Sequence, residues 1–188
     1  MELNSNTEFL EDQIRECYGR VVWTHKTQEK CADILNRKNN NIKFWQIVLS
    51  ALTTSGIFIA VFGANKTIGV ISAIISLVLT ILNAYVKKYD LGGMAQKHAE
   101  AAVSIWNLRE SYFSLLTDIR TGNITAEAIR ARRDTLQNDL HKLYKGSPRA
   151  IDKAYNEASK ALKSMEDMTF SDEELDKFLP KSLRKAHI

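Results

Sequence analysis

The chain has 188 residues, 45% of them hydrophobic and 26% charged, with a net charge of +4 and a mean hydropathy of −0.24. Eight Gly and two Pro exclude a collagenous or low-complexity chain, and two cysteines exclude a disulfide scaffold. These averages describe an ordinary soluble protein of one domain or two small ones, yet they conceal two populations. Between Phe44 and Val86, 43 positions hold a single charge, Lys66, where the chain-wide rate gives about eleven, and the other 145 residues carry the remaining 47.

The first predicted element is a helix opening at Thr7, an N-cap followed by Glu8, with Leu10, Ile14, Cys17, Tyr18, Val21 and Val22 recurring at spacings of three and four. It runs to about Arg37, and Asn39-Asn40-Asn41 marks a weak point. Cys17 and Cys31 lie about 21 Å apart on it, too far to pair, and fit a reducing compartment.

Two uncharged runs follow, Phe44–Phe62 and Ile68–Val86, each of 19 residues. As helices they span roughly 28 Å, close to the hydrocarbon thickness of a bilayer. Gly63-Ala64-Asn65-Lys66-Thr67 is a five-residue connection of turn chemistry that forces an antiparallel hairpin. The competing reading is a hairpin buried inside a soluble bundle, although two adjacent core helices of this length rarely lack charge. Trp45, Tyr85 and Tyr89 fall near one level, where aromatic belts form. No secretory leader is expected, because the first run starts 43 residues in and lacks a cleavage site.

Beyond Val86 the second span is expected to continue as one long helix through Ala99, Val103, Trp106, Tyr112 and Leu116, bending at Gly92-Gly93 and ending at Thr121-Gly122-Asn123. A further helix starts near Thr125 with Ile129, Leu136, Leu140 and Leu143 on one face. Gly146-Ser147-Pro148 then reads as a stop, an N-cap and a first-turn proline, opening a helix that carries Ile151, Tyr155, Ala158, Leu162 and Met165. The pair 125–145 and 148–168 is expected to form an antiparallel hairpin able to pack on the long stalks or on a second subunit. Ser171 with Glu174 makes a capping box for a short last helix that stops before Pro180.

The reading is therefore an all-α membrane protein with a two-helix transmembrane hairpin, long helical stalks and a cytoplasmic helical bundle. It divides into an N-terminal cytoplasmic helix (1–43), the hairpin (44–86), a cytoplasmic helical region (87–170) and a short C-terminal helix and tail (171–188). Lys30, Arg37, Lys38 and Lys43 precede the first span, Lys87, Lys88 and Lys97 follow the second, and the connection offers only Lys66. That asymmetry places both termini in the cytoplasm.

Catalytic signatures are missing. His25, His98, His141 and His187 have no ligand-like spacing to one another or to cysteine, so neither a metal nor another cofactor is expected. No phosphate-binding glycine loop and no nucleophile elbow occurs, and an enzyme is not expected. Residues 87–188 carry 18 basic and 15 acidic groups, too small an excess to argue for nucleic acid.

The candidate functional residues lie on the spans. Ser72, Ser76, Thr80 and Asn83 form one stripe about 80° wide on the second, and Gln46, Ser50, Thr53 and Thr54 form another on half of the first. Such stripes either let helices pack closely, a use that Gly56-x-x-x-Ala60 and Gly69-x-x-x-Ala73 also fit, or line a narrow aqueous path when several hairpins assemble. In the stalks, His25 and His98 lie 12 to 18 residues from a membrane end. With Glu29 and Glu100 they make either a polar latch sensitive to protonation or a partner, or an interhelical hydrogen bond that fixes register.

Gly19-Arg20-Val21-Val22-Trp23-Thr24-His25-Lys26 with Glu29-Lys30, Leu49-Ser50-Ala51-Leu52-Thr53-Thr54-Ser55-Gly56, His98-Ala99-Glu100-Ala101-Ala102 and Trp106-Asn107-Leu108-Arg109-Glu110 resemble the SLATT family. These are the SMODS- and SLOG-associating two-transmembrane effectors of bacterial defence. The resemblance covers roughly residues 10–170 and is strongest toward the subfamily associated with reverse transcriptases. It implies a homo-oligomeric effector of the bacterial inner membrane, silent until an infection-sensing partner or nucleotide signal releases it, which then forms pores or disrupts the membrane and arrests or kills the cell. The alternative is a membrane-tethered adaptor or sensor whose helical tail recruits a partner while the hairpin only anchors it.

Overall fold

A computed structural model describes residues 5–63 and 65–185. Among them it contains helices and connecting turns and no strand. The helices are α1 (Ser5–Phe62), α2 (Lys66–Tyr89), α3 (Leu91–Arg120), α4 (Ala126–Gly146), α5 (Asp152–Ser164) and α6 (Asp172–Phe178), followed by a 3₁₀ turn at Lys181–Leu183.

The first helix is longer than its sequence suggests. α1 runs unbroken for 58 residues, about 87 Å, from the N-terminal bundle through the whole first span. The expected weak point at Asn39-Asn40-Asn41 is helical, and the reason is tertiary. Asn39 is buried, and its amide group fills the space that a side chain on Gly92 would occupy, with the nearest nitrogen 3.3 Å from a Cβ built there. Burial against α3 outweighs the poor helix propensity of three asparagines.

The connection between the spans is also shorter than expected. Lys66 and Thr67 already belong to α2, whose first turn is capped by Asn65, the side chain accepting from the Ile68 amide at 3.3 Å. Ala64 lies outside the described residues.

The bend between second span and stalk falls at Asp90, two residues before the glycine pair predicted for it. Asp90 adopts a left-handed backbone (φ 38, ψ 56); its amide closes α2 on the Val86 carbonyl, and its carboxylate accepts from the Gly93 amide at 3.1 Å to open α3. One residue is thus the C-cap of one helix and the N-cap of the next. Gly93 supplies the room, since a Cβ there would lie 2.2 Å from the Asp90 carboxylate.

The core of the extramembrane part is the antiparallel contact of α1 with α3, joined by α4. Leu10, Ile14 and Val21 of α1 meet Ile105, Leu108, Tyr112, Leu115 and Ile119 of α3 and Ile129 and Leu136 of α4. The α3 stripe is shifted from the predicted one: Tyr112 is core and Leu116 packs at its edge, but Val103 and Trp106 are largely exposed. Ile105, Leu108, Tyr112, Leu115 and Ile119 repeat at spacings of three and four, which keeps one face toward α1 through four turns.

α4 starts at the Thr125 cap as expected, and α6 opens on the Ser171–Glu174 capping box. The region between them differs. Ser147 and the residues to Ile151 are an extended connection held to α1, with the Pro148 carbonyl accepting from Gln28 Nε2 and the Ile151 amide donating to Cys31 Sγ, each at 3.3 Å. Proline disfavours helix in the residue before it, so Ser147 is extended, its hydroxyl donates back to Leu143, and α5 begins only at Asp152. α5 buries Ala154, Ala158 and Ala161, leaving Tyr155 and Met165 exposed. It docks on α1, while α4 docks mainly on α3, so the two do not pack together as the expected hairpin.

The spans project from this bundle as a bare antiparallel pair. Only 6% of each of their most apolar stretches is buried, and Phe44, Ile47, Leu52, Phe58, Phe62, Val70, Ile74, Leu77 and Ile81 are all exposed. A hairpin buried inside a soluble bundle is therefore excluded, because water does not tolerate an apolar surface of this extent. The molecule is an all-α membrane protein.

The contact inside the hairpin is close enough to test by cross-linking. A Cβ on Gly69 would stand 3.3 Å from the Ala60 Cβ, and one on Gly56 would stand 2.0 Å from Ser72 Oγ. In a Cys17→Ser/Cys31→Ser background, Ala60→Cys with Gly69→Cys is expected to form a disulfide on mild oxidation, read as loss of maleimide labelling. Adding Gly56→Ile drives the helices apart and suppresses that disulfide; equal cross-linking with and without it contradicts the contact.

Candidate functional site in the hairpin and stalk

The polar residues of the spans separate into a seam and a groove. At 100° per residue, Gln46, Thr53, Gly56 and Ala60 share one face of α1, and Ser72, Ser76 and Asn83 share one face of α2. The structure turns these faces together: Thr53 and Ser72 are buried, Ser76 is half-buried, and Gln46 Nε2 donates to Asn83 Oδ1 at 2.7 Å across the pair. Gly56 and Gly69 permit the approach described above. Ala73, the fourth small residue of the two motifs, is exposed.

Ser50, Thr54 and Thr80 rotate away from the seam and are exposed. Gln46, Ser50, Thr54 and Asn83, joined by Ser55, form the polar wall of an open groove of about 670 Å³ between the spans, in which no charged side chain takes part. Ser55 was not in the predicted stripe, since it stands 100° from Thr54; only the position of α2 brings it to the same groove.

Four of the hydroxyls are satisfied within their own helices. Thr53 donates to Leu49, Thr54 to Ser50, Ser72 to Ile68 and Thr80 to Ser76, each to the carbonyl one turn back at 2.8–3.0 Å. That pattern lets them sit in hydrocarbon without an orphaned proton, while each oxygen keeps acceptor capacity toward the groove or a neighbour.

In the stalk the two histidines make separate contacts. His98 is buried, and its Nδ1 is 2.5 Å from Gln28 Oε1. His25 is also buried; its Nε2 lies 3.7 Å from Glu29 Oε1, its Nδ1 has no hydrogen-bond partner, and it lines a groove with Trp106 and Arg109. Glu100 is exposed and accepts from Gln96 at 3.0 Å, one turn away on its own helix. The structure thus joins His25 to Glu29 and His98 to Gln28, and leaves Glu100 outside either contact. Gln28, a neutral side chain seventy residues from His98, carries no spacing that marks it as the partner.

Across the His25 groove runs residues 166–168, where Lys26 Nζ meets Asp167 at 2.8 Å and Arg109 donates to Met168 Sδ at 3.5 Å. Glu166 (φ 50) and Met168 (φ 78) are left-handed there, a strained arrangement for side chains with a Cβ. Among the described residues no group of three His, Cys, Asp or Glu is placed to hold a metal ion; His187 lies outside them.

Burial draws both imidazoles below their ordinary value, and at His25 Glu29 opposes the shift while Arg109 adds to it. The unfolded chain takes up protons on these histidines near pH 6.5, and the fold resists doing so. Stability from them is therefore complete above about pH 7 and lost as pH falls through 6.5 toward the folded values. The thermal midpoint is expected to be lower at about pH 5.5 than at about pH 7.5, and His25→Gln with His98→Gln to flatten that dependence. Gln28→Leu, which strips His98 of its partner, costs roughly 1–3 kcal/mol. A midpoint unchanged by pH contradicts the neutral buried pair.

A family model described as SMODS and SLOG-associating 2TM effector domain family 4 matches residues 10–174. That description names no reverse transcriptase. No curated protein sequence and no solved structure matches the chain. The matched segment opens in the first turns of α1 and closes within α6, enclosing the hairpin and the stalk, and the chain belongs to this family of two-transmembrane effector domains.

Proposed function

We propose that the chain is an effector of the bacterial inner membrane that acts without chemistry of its own, through assembly of several hairpins into a membrane-permeabilising oligomer. The observation that carries this reading is the uncharged polar groove of Gln46, Ser50, Thr54, Ser55 and Asn83 on an otherwise lipid-facing hairpin. One hairpin cannot enclose a water path. Copies that turn these grooves inward cover the polar walls and line such a path together. The effector description of the family supports the same reading.

Seven basic residues at the open end of the hairpin against Lys66 at the turn put both termini and the helical bundle in the cytoplasm. The bundle is then the part that a sensor or a nucleotide-signal-producing partner addresses, and the hairpin is the part that acts. Release arrests or kills the infected cell.

Inducible expression of a deregulated form, freed of its silencing control, is expected to collapse the membrane potential of the host cell. Ser50→Leu with Thr54→Leu fills the groove wall and spares the seam, so it abolishes the collapse while alkaline carbonate still leaves the chain in the membrane pellet. Undiminished collapse in that variant contradicts a wetted groove. Exchanging both spans for an unrelated hairpin separates this reading from a tethered adaptor, which keeps its activity after the exchange.

A further inference from the structure

A further pocket, of about 510 Å³, opens where the bundle meets the membrane, between the base of the α1 stalk and the start of α5. We propose that it binds the phosphate headgroup of an anionic lipid. Three cations line it, Arg37 and Lys38 from α1 and Lys153 from α5, together with Asn41, Trp45 and one anion, Glu157. All three cations are exposed, and the set carries a net charge of +2.

The depth of the pocket selects a lipid. Trp45 is the second residue of the first span; Asn41 and Lys38 precede Phe44 by three and six residues, about 4.5 and 9 Å along the helix. The headgroup layer extends roughly 5–8 Å beyond the hydrocarbon, so Asn41 stands within it and the flexible Lys38 ammonium reaches down to it. Lys153 arrives from the first turn of α5. The start of that helix is tied to Cys31 through the Ile151 amide, and Glu157, one turn beyond Lys153, reaches Arg37, six residues nearer the membrane than Cys31. The face of α5 that carries Lys153 and Glu157 therefore looks toward the bilayer, while Tyr155 packs on Trp23 on the other side.

The cations are held in place without being neutralised. Lys38 Nζ donates to the Tyr85 hydroxyl at 3.0 Å, a neutral partner on the other leg of the hairpin. Glu157 lies 3.4 Å from the Arg37 guanidinium and 4.0 Å from Lys153 Nζ, so one carboxylate spaces two cations and leaves one positive charge uncompensated between them. Basic pockets at this level of a membrane protein attract anionic headgroups at close range, with the indole of Trp45 beside the first carbons of the acyl chains. A bound headgroup bridges α5 to the base of α1. The proposal requires an inserted hairpin and is independent of whether that hairpin conducts.

Native mass spectrometry of the full chain released from detergent, titrated with phosphatidylglycerol or with phosphatidylcholine of the same acyl chains, tests it. The wild type is expected to retain phosphatidylglycerol preferentially. Retention falls about tenfold or more in Arg37→Gln/Lys38→Gln/Lys153→Gln and stays in Lys87→Gln/Lys88→Gln/Lys97→Gln, which removes equal charge from the other leg. Glu157→Gln raises it. Should the first triple fail to fold, Lys153→Gln alone, exposed and held only by the long contact to Glu157, gives a drop of about threefold. No preference between the two lipids, or equal loss in both triples, overturns the proposal. Displacement of the lipid by millimolar inorganic phosphate overturns it as well and assigns the pocket to a soluble anion.

Discussion

Hydrocarbon offers no hydrogen-bond partner to a peptide group, and every larger feature of this molecule follows from how the chain meets that constraint. Each span is helical throughout, and the Thr53, Thr54, Ser72 and Thr80 hydroxyls donate to their own backbone. The only side-chain hydrogen bond described between the uncharged segments is Gln46 to Asn83. The hairpin therefore needs little from a partner to exist in a bilayer. The acceptor capacity left along Ser50, Thr54 and Ser55 is a surplus over that need, and a surplus of this kind is where a membrane helix pair gains a role beyond anchoring.

The two legs of the hairpin enter the bundle differently. α1 crosses the boundary without interruption, so its orientation in the bundle core at Leu10, Ile14 and Val21 is transmitted through continuous backbone to Thr53 and Gly56. The other leg is divided at Asp90, where a left-handed residue lets α3 change direction relative to α2. One leg is stiff and the other is jointed, and the joint lies beside Asn39 and Gly92, where the stalk helices first touch. A disturbance of the α1–α3 contact, whose buried polar members include His25, Gln28, Asn39 and His98, has a direct mechanical route to the spans along α1.

The spans were legible because a 43-residue stretch with one charge has few other physical explanations, and neither packing detail nor propensity alters it. The caps at Thr125 and Ser171 were legible because the chemistry is local. What escaped depended on the partner. Three asparagines read as a break until Gly92 is seen to leave room for Asn39, and Gly92-Gly93 read as a hinge although the glycines make space for a neighbour and Asp90 carries the turn. Both apolar stripes of α3 have helical spacing, so only the position of α1 decides between Trp106 and Ile105. The division of the polar stripes into seam and groove required the crossing of two helices, which no single-chain spacing contains. For the same reason Ser55 and Gln28 went unnoticed.

The central claim is that α1 is one rigid element joining the bundle to the membrane. It is tested most directly by placing spin labels singly at successive positions from Lys30 to Phe62 in the full chain reconstituted into bilayers. At each position, collisions with oxygen are compared with collisions with a water-soluble nickel chelate. The account predicts an unbroken period of about 3.6 residues through Asn39–Asn41 and a change from aqueous to lipid exposure at Phe44. Loss of that period at the asparagines, or access of the nickel chelate along the whole of Phe44–Phe62, would contradict it.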